Sequence, residues 1–176
     1  SPDLFPTTPG VYSTTFKGIG TDVVIIKLKP DGSSLEYATY IVGSEYEYPW
    51  GIDINSAGEV FVAGEVRSSD FPVTPNSYDG IKNAAGSKVD GFICKLNATG
   101  TALLYYTYIG GNQGLNAFAH GTTINDIAVD PNDNIFAVGQ TEALNFPTTS
   151  GSFQSAYAGR TDGFVVKLKP SGLGTA

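Results

Sequence analysis

The chain repeats itself. Asp22–Leu28 reads DVVIIKL, Asp90–Leu96 reads DGFICKL and Asp162–Leu168 reads DGFVVKL, at spacings of 68 and 72 residues. Each copy runs into a turn-forming tetrapeptide: Lys29-Pro30-Asp31-Gly32, Asn97-Ala98-Thr99-Gly100 or Lys169-Pro170-Ser171-Gly172. Pro, Asn, Asp and Gly favour turns for known steric and hydrogen-bonding reasons. A repeat of this period is one supersecondary unit that cannot bury its apolar faces alone and must stack on its neighbours.

Other landmarks recur in the same order. LEYATYIVG (35–43) returns as LLYYTYIGG (103–111), and GIDINSAGEVFVAG (51–64) as DIAVDPNDNIFAVG (126–139). Phe-Pro opening a Thr-rich stretch appears at Phe5-Pro6-Thr7-Thr8, Phe71-Pro72-Val73-Thr74 and Phe146-Pro147-Thr148-Thr149. The middle unit therefore holds four β-prone runs, roughly 51–55, 59–66, 90–97 and 102–109, in two hairpins joined by a long linker that carries Phe-Pro. No segment has helical periodicity. Val23-Val24-Ile25-Ile26, Phe92-Ile93-Cys94 and Phe164-Val165-Val166 are continuously apolar, which predicts strands covered on both faces. Four-stranded antiparallel sheets that repeat and stack face to face predict the blades of a β-propeller.

Composition narrows the function classes. The 176 residues carry 10 basic and 17 acidic side chains, a net charge of −7. Such a chain repels a phosphate backbone, so no nucleic-acid partner is expected. No apolar run approaches a membrane-spanning helix. Cys94 is the single cysteine, so no intrachain disulfide forms. The chain opens on Ser1-Pro2 and contains no Met, which suggests a cleaved leader or an excerpt of a longer protein.

The unit resembles the bacterial β-propeller repeat family abbreviated SBBP. The matching residues are DGFVVKL (162–168), YYTYIGG (105–111), DIAVD (126–130) with IFAVG (135–139), and Phe146-Pro147-Thr148-Thr149. The resemblance implies a propeller repeat of secreted and cell-surface prokaryotic proteins, with no shared enzymatic activity. It also implies that the strand beginning near Gly51 or Asp126 lies innermost. By that phase residues 22–43 are an outer half-blade, 51–109 a full blade and 124–172 an incomplete blade. That is about two and a half repeats, too few for a closed propeller. Residues 112–123 depart from the pattern as an insertion of about seven residues relative to the connection after Gly43. They are expected to form an exposed loop, dispensable for folding.

Candidate site residues follow, each with its structural alternative. Cys94 aligns with Ile26 and Val166, which points to a buried hydrophobe rather than a nucleophile. His120, the only histidine, sits in the inserted loop, as a surface residue or a ligand contact. Trp50 has Asn125 as its counterpart, and is either a packing plug or a contact on the propeller face. Asp130, Asn132 and Asp133 resemble the start of a calcium loop, but the glycine and glutamate positions of that loop hold Ile135 and Thr141, which favours a hairpin turn. Asn97-Ala98-Thr99 is an N-glycosylation triplet on a predicted turn. Tyr37, Tyr40, Tyr105 and Tyr108 recur on the outermost strand, as a carbohydrate-stacking surface or as cover for the sheet faces with hydroxyls toward solvent. Asp22, Asp90 and Asp162 recur at the start of the third strand, where they are expected to play a structural role such as binding turn amides.

No cofactor and no catalytic set is expected. The function read from these features is a non-enzymatic extracellular or cell-surface structural or adhesion module, part of a surface assembly or filament. Its partners would be further copies of the same repeat, in the same chain or in neighbouring subunits. The alternatives are a propeller that binds carbohydrate or another ligand, and a fragment of a propeller-fold enzyme.

Overall fold

The computed structural model describes residues 5–17, 20–112 and 120–169. Nine strands and no helix occur among them: β1 (Val23–Leu28), β2 (Leu35–Ile41), β3 (Glu47–Ile54), β4 (Val60–Val66), β5 (Asp90–Leu96), β6 (Leu103–Ile109), β7 (Thr122–Val129), β8 (Ile135–Thr141) and β9 (Asp162–Leu168). They form three antiparallel sheets, β1-β2, β3-β4-β5-β6 and β7-β8-β9. No helix of the described residues is long and apolar enough to cross a membrane.

β3 and β7, the first strands of their sheets, begin earlier than the apolar pattern predicts. β3 pairs from Glu47 opposite Val66, and β7 from Thr122 opposite Thr141. Each is interrupted by a register shift, at Pro49/Gly51 and at Ile124/Asp126. Proline cannot donate to a ladder, so Pro49 falls where the ladder breaks.

The sheets stack in order. Alternate side chains of the middle sheet go to opposite cores. Val60, Val62, Phe92, Cys94 and Leu96 pack with Val23, Ile25 and Ile41 of the first sheet. Phe61, Ala63, Ile93 and Ile109 pack with Ile124, Ile127, Ile135, Ala137 and Leu168 of the third. β5 is therefore buried on both faces, as its continuous apolar run predicts. β1 and β9 carry the same kind of run, yet they alternate between buried and open positions. This corrects the expectation of two covered faces. A β1 or β9 face finds cover only where a neighbouring sheet lies against it, and each has one such neighbour among the described residues.

Phe71 of the Phe-Pro linker lies flat on Tyr106, with ring centroids 4.4 Å apart, and Phe146 on Phe164 at the same distance. Thr74 Oγ1 accepts a hydrogen bond from Tyr106 N, and Thr8 Oγ1 accepts one from Ala38 N. The linker thus covers the outer edge of each outermost strand, which blunts it against pairing.

Candidate functional site

β3, the first strand of the middle sheet, positions the site. Gly51 lets that strand approach β7 closely, because a Cβ there would lie 2.9 Å from Asp126 Cα. Asp53 Oδ2 accepts a hydrogen bond from Val129 N at 2.7 Å across the same junction. At the upper end of β3, where the register shift turns consecutive side chains outward, Tyr48 and Trp50 stand exposed. Their rings stack with centroids 6.4 Å apart and planes 21° apart.

These two rings form one wall of a cleft of about 370 Å³, lined also by Tyr46, Glu65, Arg67, Val89 and His120. Glu65 is almost buried, and its Oε2 accepts from Thr123 Oγ1 at 2.7 Å and lies 3.1 Å from His120 Nε2. His120 is held at its backbone as well, where its N–H donates to Glu142. The Arg67 guanidinium sits 5.3 Å above the Tyr46 ring. The cleft combines an exposed aromatic surface, a cation and a carboxylate–imidazole pair, which suits an amphipathic ligand with a flat apolar face.

Trp50 and His120, 70 positions apart, are thus brought to one cleft, while the other candidates lie elsewhere. Of the inserted loop, residues 113–119 fall outside the described residues, while Thr122 and Thr123, expected in an exposed loop, are buried at the start of β7, where they pair with β8. Asp130 accepts from the backbone of Asn132 and Asn134 and from the Asn134 side chain, which closes its turn and holds its carboxyl below the usual range. Asp133 takes a left-handed conformation at φ 62°, as Gly58 does at the equivalent position, and its carboxylate faces Asn55 and Lys95 of the middle sheet. Among the described residues, no group of three His, Cys, Asp or Glu is placed to hold a metal ion. Asn97 Nδ2 donates to Thr101 Oγ1, and its Oδ1 accepts from Thr101 N and Ala102 N, so its side chain organises the β5–β6 turn. Cys94 is fully buried, and burial pushes its thiol up to about 12.

Two further expectations meet the structure directly. The recurring aspartates do bind turn amides: Asp22 takes Lys17 N, Asp90 takes Asn83 N and Ala84 N, and Asp162 takes Ala158 N. The tyrosine hydroxyls do not turn to solvent. Tyr37, Tyr40, Tyr105 and Tyr108 are all buried, and Tyr108 Oη donates to Ser68 O and accepts from Phe71 N. The segments that carry Phe-Pro fold over them, and backbone groups there take up the hydroxyls of Tyr40, Tyr105 and Tyr108, while the Tyr37 hydroxyl is buried without a partner.

Tyr46, Tyr48, Glu65 and Arg67 were not singled out by the sequence reading. They stand where the repeat breaks: the positions 75 residues on hold Gly121, Thr123, Gln140 and Glu142. Departure between sister copies was the signal that marked Trp50 and could have found the others.

Antiparallel sheets of one recurring pattern, stacked face to face, define an all-β protein of β-propeller-like fold. Within it, residues 104–147 match the family described as SBBP, beta-propeller repeat, and the resemblance read from the motifs is shown over that stretch. No curated protein matches the chain significantly.

Proposed function

We propose that the chain is a non-enzymatic structural or adhesion module of a β-propeller, working outside the cell or at its surface among further copies of the same repeat. On this reading residues 22–43 are an outer half-blade, 51–109 a full blade and 124–172 an incomplete one, about two and a half repeats that do not close alone.

One observation carries the reading. Ile93 and Val165 occupy the same register position in β5 and β9, yet Ile93 is fully buried and Val165 is 73% exposed. At the opposite end, Cys94 and Leu96 are covered, while their β1 counterparts Ile26 and Leu28 are 46% and 52% exposed. The bare face of the third sheet corresponds to the face of the middle sheet that receives the third. The bare face of the first corresponds to the face of the middle sheet that receives the first. The two are complementary by the same packing that occurs twice inside the chain, so another copy of the repeat fits each. A head-to-tail contact of this kind closes a ring or runs on as a filament. The surface location draws support from the resemblance to repeats of secreted and cell-surface proteins.

The test is the mass of the purified chain in solution across a concentration series. Concentration-dependent assembly is expected, and a monomer that stays soluble and folds sharply at high concentration would sink the reading. Protease shaving of intact source cells tests the location.

A second reading, a ligand-binding propeller for glycans, is favoured by the cleft. It gathers an exposed aromatic pair with polar groups at the end of an inner strand, and it is built from residues that the repeat does not need.

A further inference from the structure

We propose that the cleft beside Trp50 binds a saccharide unit that carries one carboxylate, its ring stacked on Trp50 and Tyr48 and its carboxylate held by Arg67. This rests on the glycan-binding reading and adds the charge class of the ligand and the residue that selects it.

The aromatic wall sets the ligand's shape. Trp50 is 57% exposed, and Tyr48 is stacked beside it. A pyranose ring presents a flat face of C–H groups that suits such a surface, with its hydroxyls left at the rim. The Glu65–His120 pair, fixed by Thr123 and by the backbone bond to Glu142, offers polar atoms to those hydroxyls.

Arg67 sets the charge. It forms no ion pair with a carboxylate among the described residues. Its Nε is buried without a hydrogen-bond partner. A buried donor left unpaired is costly, and a guanidinium is shaped to receive a carboxylate through two parallel bonds. The contact with Tyr46 holds the group in place before a ligand arrives. Glu65 in the same wall and the net charge of −7 oppose a multiply charged ligand. A single carboxylate, matched to one arginine, fits this balance.

The experiment is calorimetric titration of the full chain with a panel of saccharides. It contains members with one carboxylate each, namely the monosaccharides galacturonate, mannuronate and glucuronate and the trisaccharide sialyllactose, with the methyl ester of each and neutral saccharides of equal length. At least one acidic member should bind, and masking its carboxylate as the methyl ester should weaken it by about tenfold or more. Arg67→Gln should remove the difference between acid and ester, Arg67→Lys should restore part of it, and Trp50→Ala should weaken both forms. Unchanged thermal unfolding of each variant confirms that the fold is intact. Equal binding of acid and ester, or a difference that survives Arg67→Gln, overturns this inference and leaves the glycan reading standing. Silence of the wild-type chain across the whole panel overturns both.

Discussion

Lys95 and Asp133 join two sheets: the Lys95 Nζ on β5 lies 3.2 Å from Asp133 Oδ2 in the β7–β8 turn. The same carboxylate accepts from Asn55 Nδ2 at 3.0 Å, and Lys95 also pairs with Glu59. The middle and third sheets are thus tied at their lower turns as well as through their apolar faces. Asp133 holds this contact from a left-handed backbone, a conformation that costs an L-residue about 1–2 kcal/mol and costs glycine little. Asp133→Ala should therefore destabilise the fold by about 1–2 kcal/mol, since it keeps the strain and loses the polar contacts. Asp133→Gly loses the same contacts but relieves the strain, and should cost about 1 kcal/mol less. Urea unfolding of the two variants checks the order; equal losses would show that the backbone strain does not matter.

Glu47 gives the stability a pH dependence. It is fully buried between Ser68 and Gly43, and burial raises its carboxyl to about 7, against the hydrogen bonds from those two residues and with Asp22 adding to the rise. Asp90, also buried, is raised to about 6. A raised carboxyl holds its proton longer in the folded state than in the unfolded one. Its contribution is therefore complete below the unfolded pKa near 4.5 and is lost as pH rises through about 7. For Glu47 this amounts to about 3 kcal/mol. Glu47→Gln keeps the acceptor for Gly43 N and removes the titration. The melting temperature of the wild type should fall relative to that of Glu47→Gln between pH 4.5 and 7.5. Parallel curves over that range would contradict the assignment.

The fold was legible because its repeat shows three times over. The strand runs and the hairpin turns follow from recurring apolar residues and turn formers, and so does the burial of Cys94, whose sister positions hold Ile26 and Val166. Two features escaped for physical reasons. Whether a strand face is covered depends on a neighbour, so Val165 and Ile93 look alike in sequence and differ in burial. The hydroxyls of Tyr40, Tyr105 and Tyr108 meet backbone groups of segments that have no periodicity of their own, and nothing in the strand sequence announces where those will lie. The cleft was half legible. Trp50 and His120 were marked as departures from the repeat, but their meeting depends on β3 and the start of β7 coming together at the junction where Gly51 faces Asp126.

Tyr108 tests the linker's role. Its hydroxyl donates to Ser68 O at 3.1 Å and accepts from Phe71 N at 3.3 Å, inside a fully buried site. Tyr108→Phe leaves both backbone groups without that partner and should cost about 1–2 kcal/mol. A hydroxyl facing solvent would cost nearly nothing on removal. Hydrogen exchange should locate the loss, with the Phe71 amide exchanging faster in the variant.

Ile93 and Val165 allow the stacking proposal to be tested within one strand register. Both side chains point toward the next sheet in the order, and only Ile93 has that sheet against it, in the core with Ile124, Ile127 and Ala137. A carboxylate at position 93 would be buried without a partner, so Ile93→Glu should cost more than about 4 kcal/mol and leave little folded protein. Val165 is open in the single chain, so Val165→Glu should change its stability by about 0.5 kcal/mol or less. The same charge placed on the face that would receive a further copy must be buried each time two chains stack. Val165→Glu should therefore abolish the concentration-dependent assembly while the folded chain survives, and Ile26→Glu should do the same from the opposite face. Combining the two variants in one mixture should not restore assembly, because a carboxylate would then meet an apolar face or another carboxylate at every junction except the one between two wild-type faces, which yields a dimer and stops. Light scattering distinguishes these outcomes. Assembly that persists in Val165→Glu at the wild-type concentration range would show that the chains meet through some other surface.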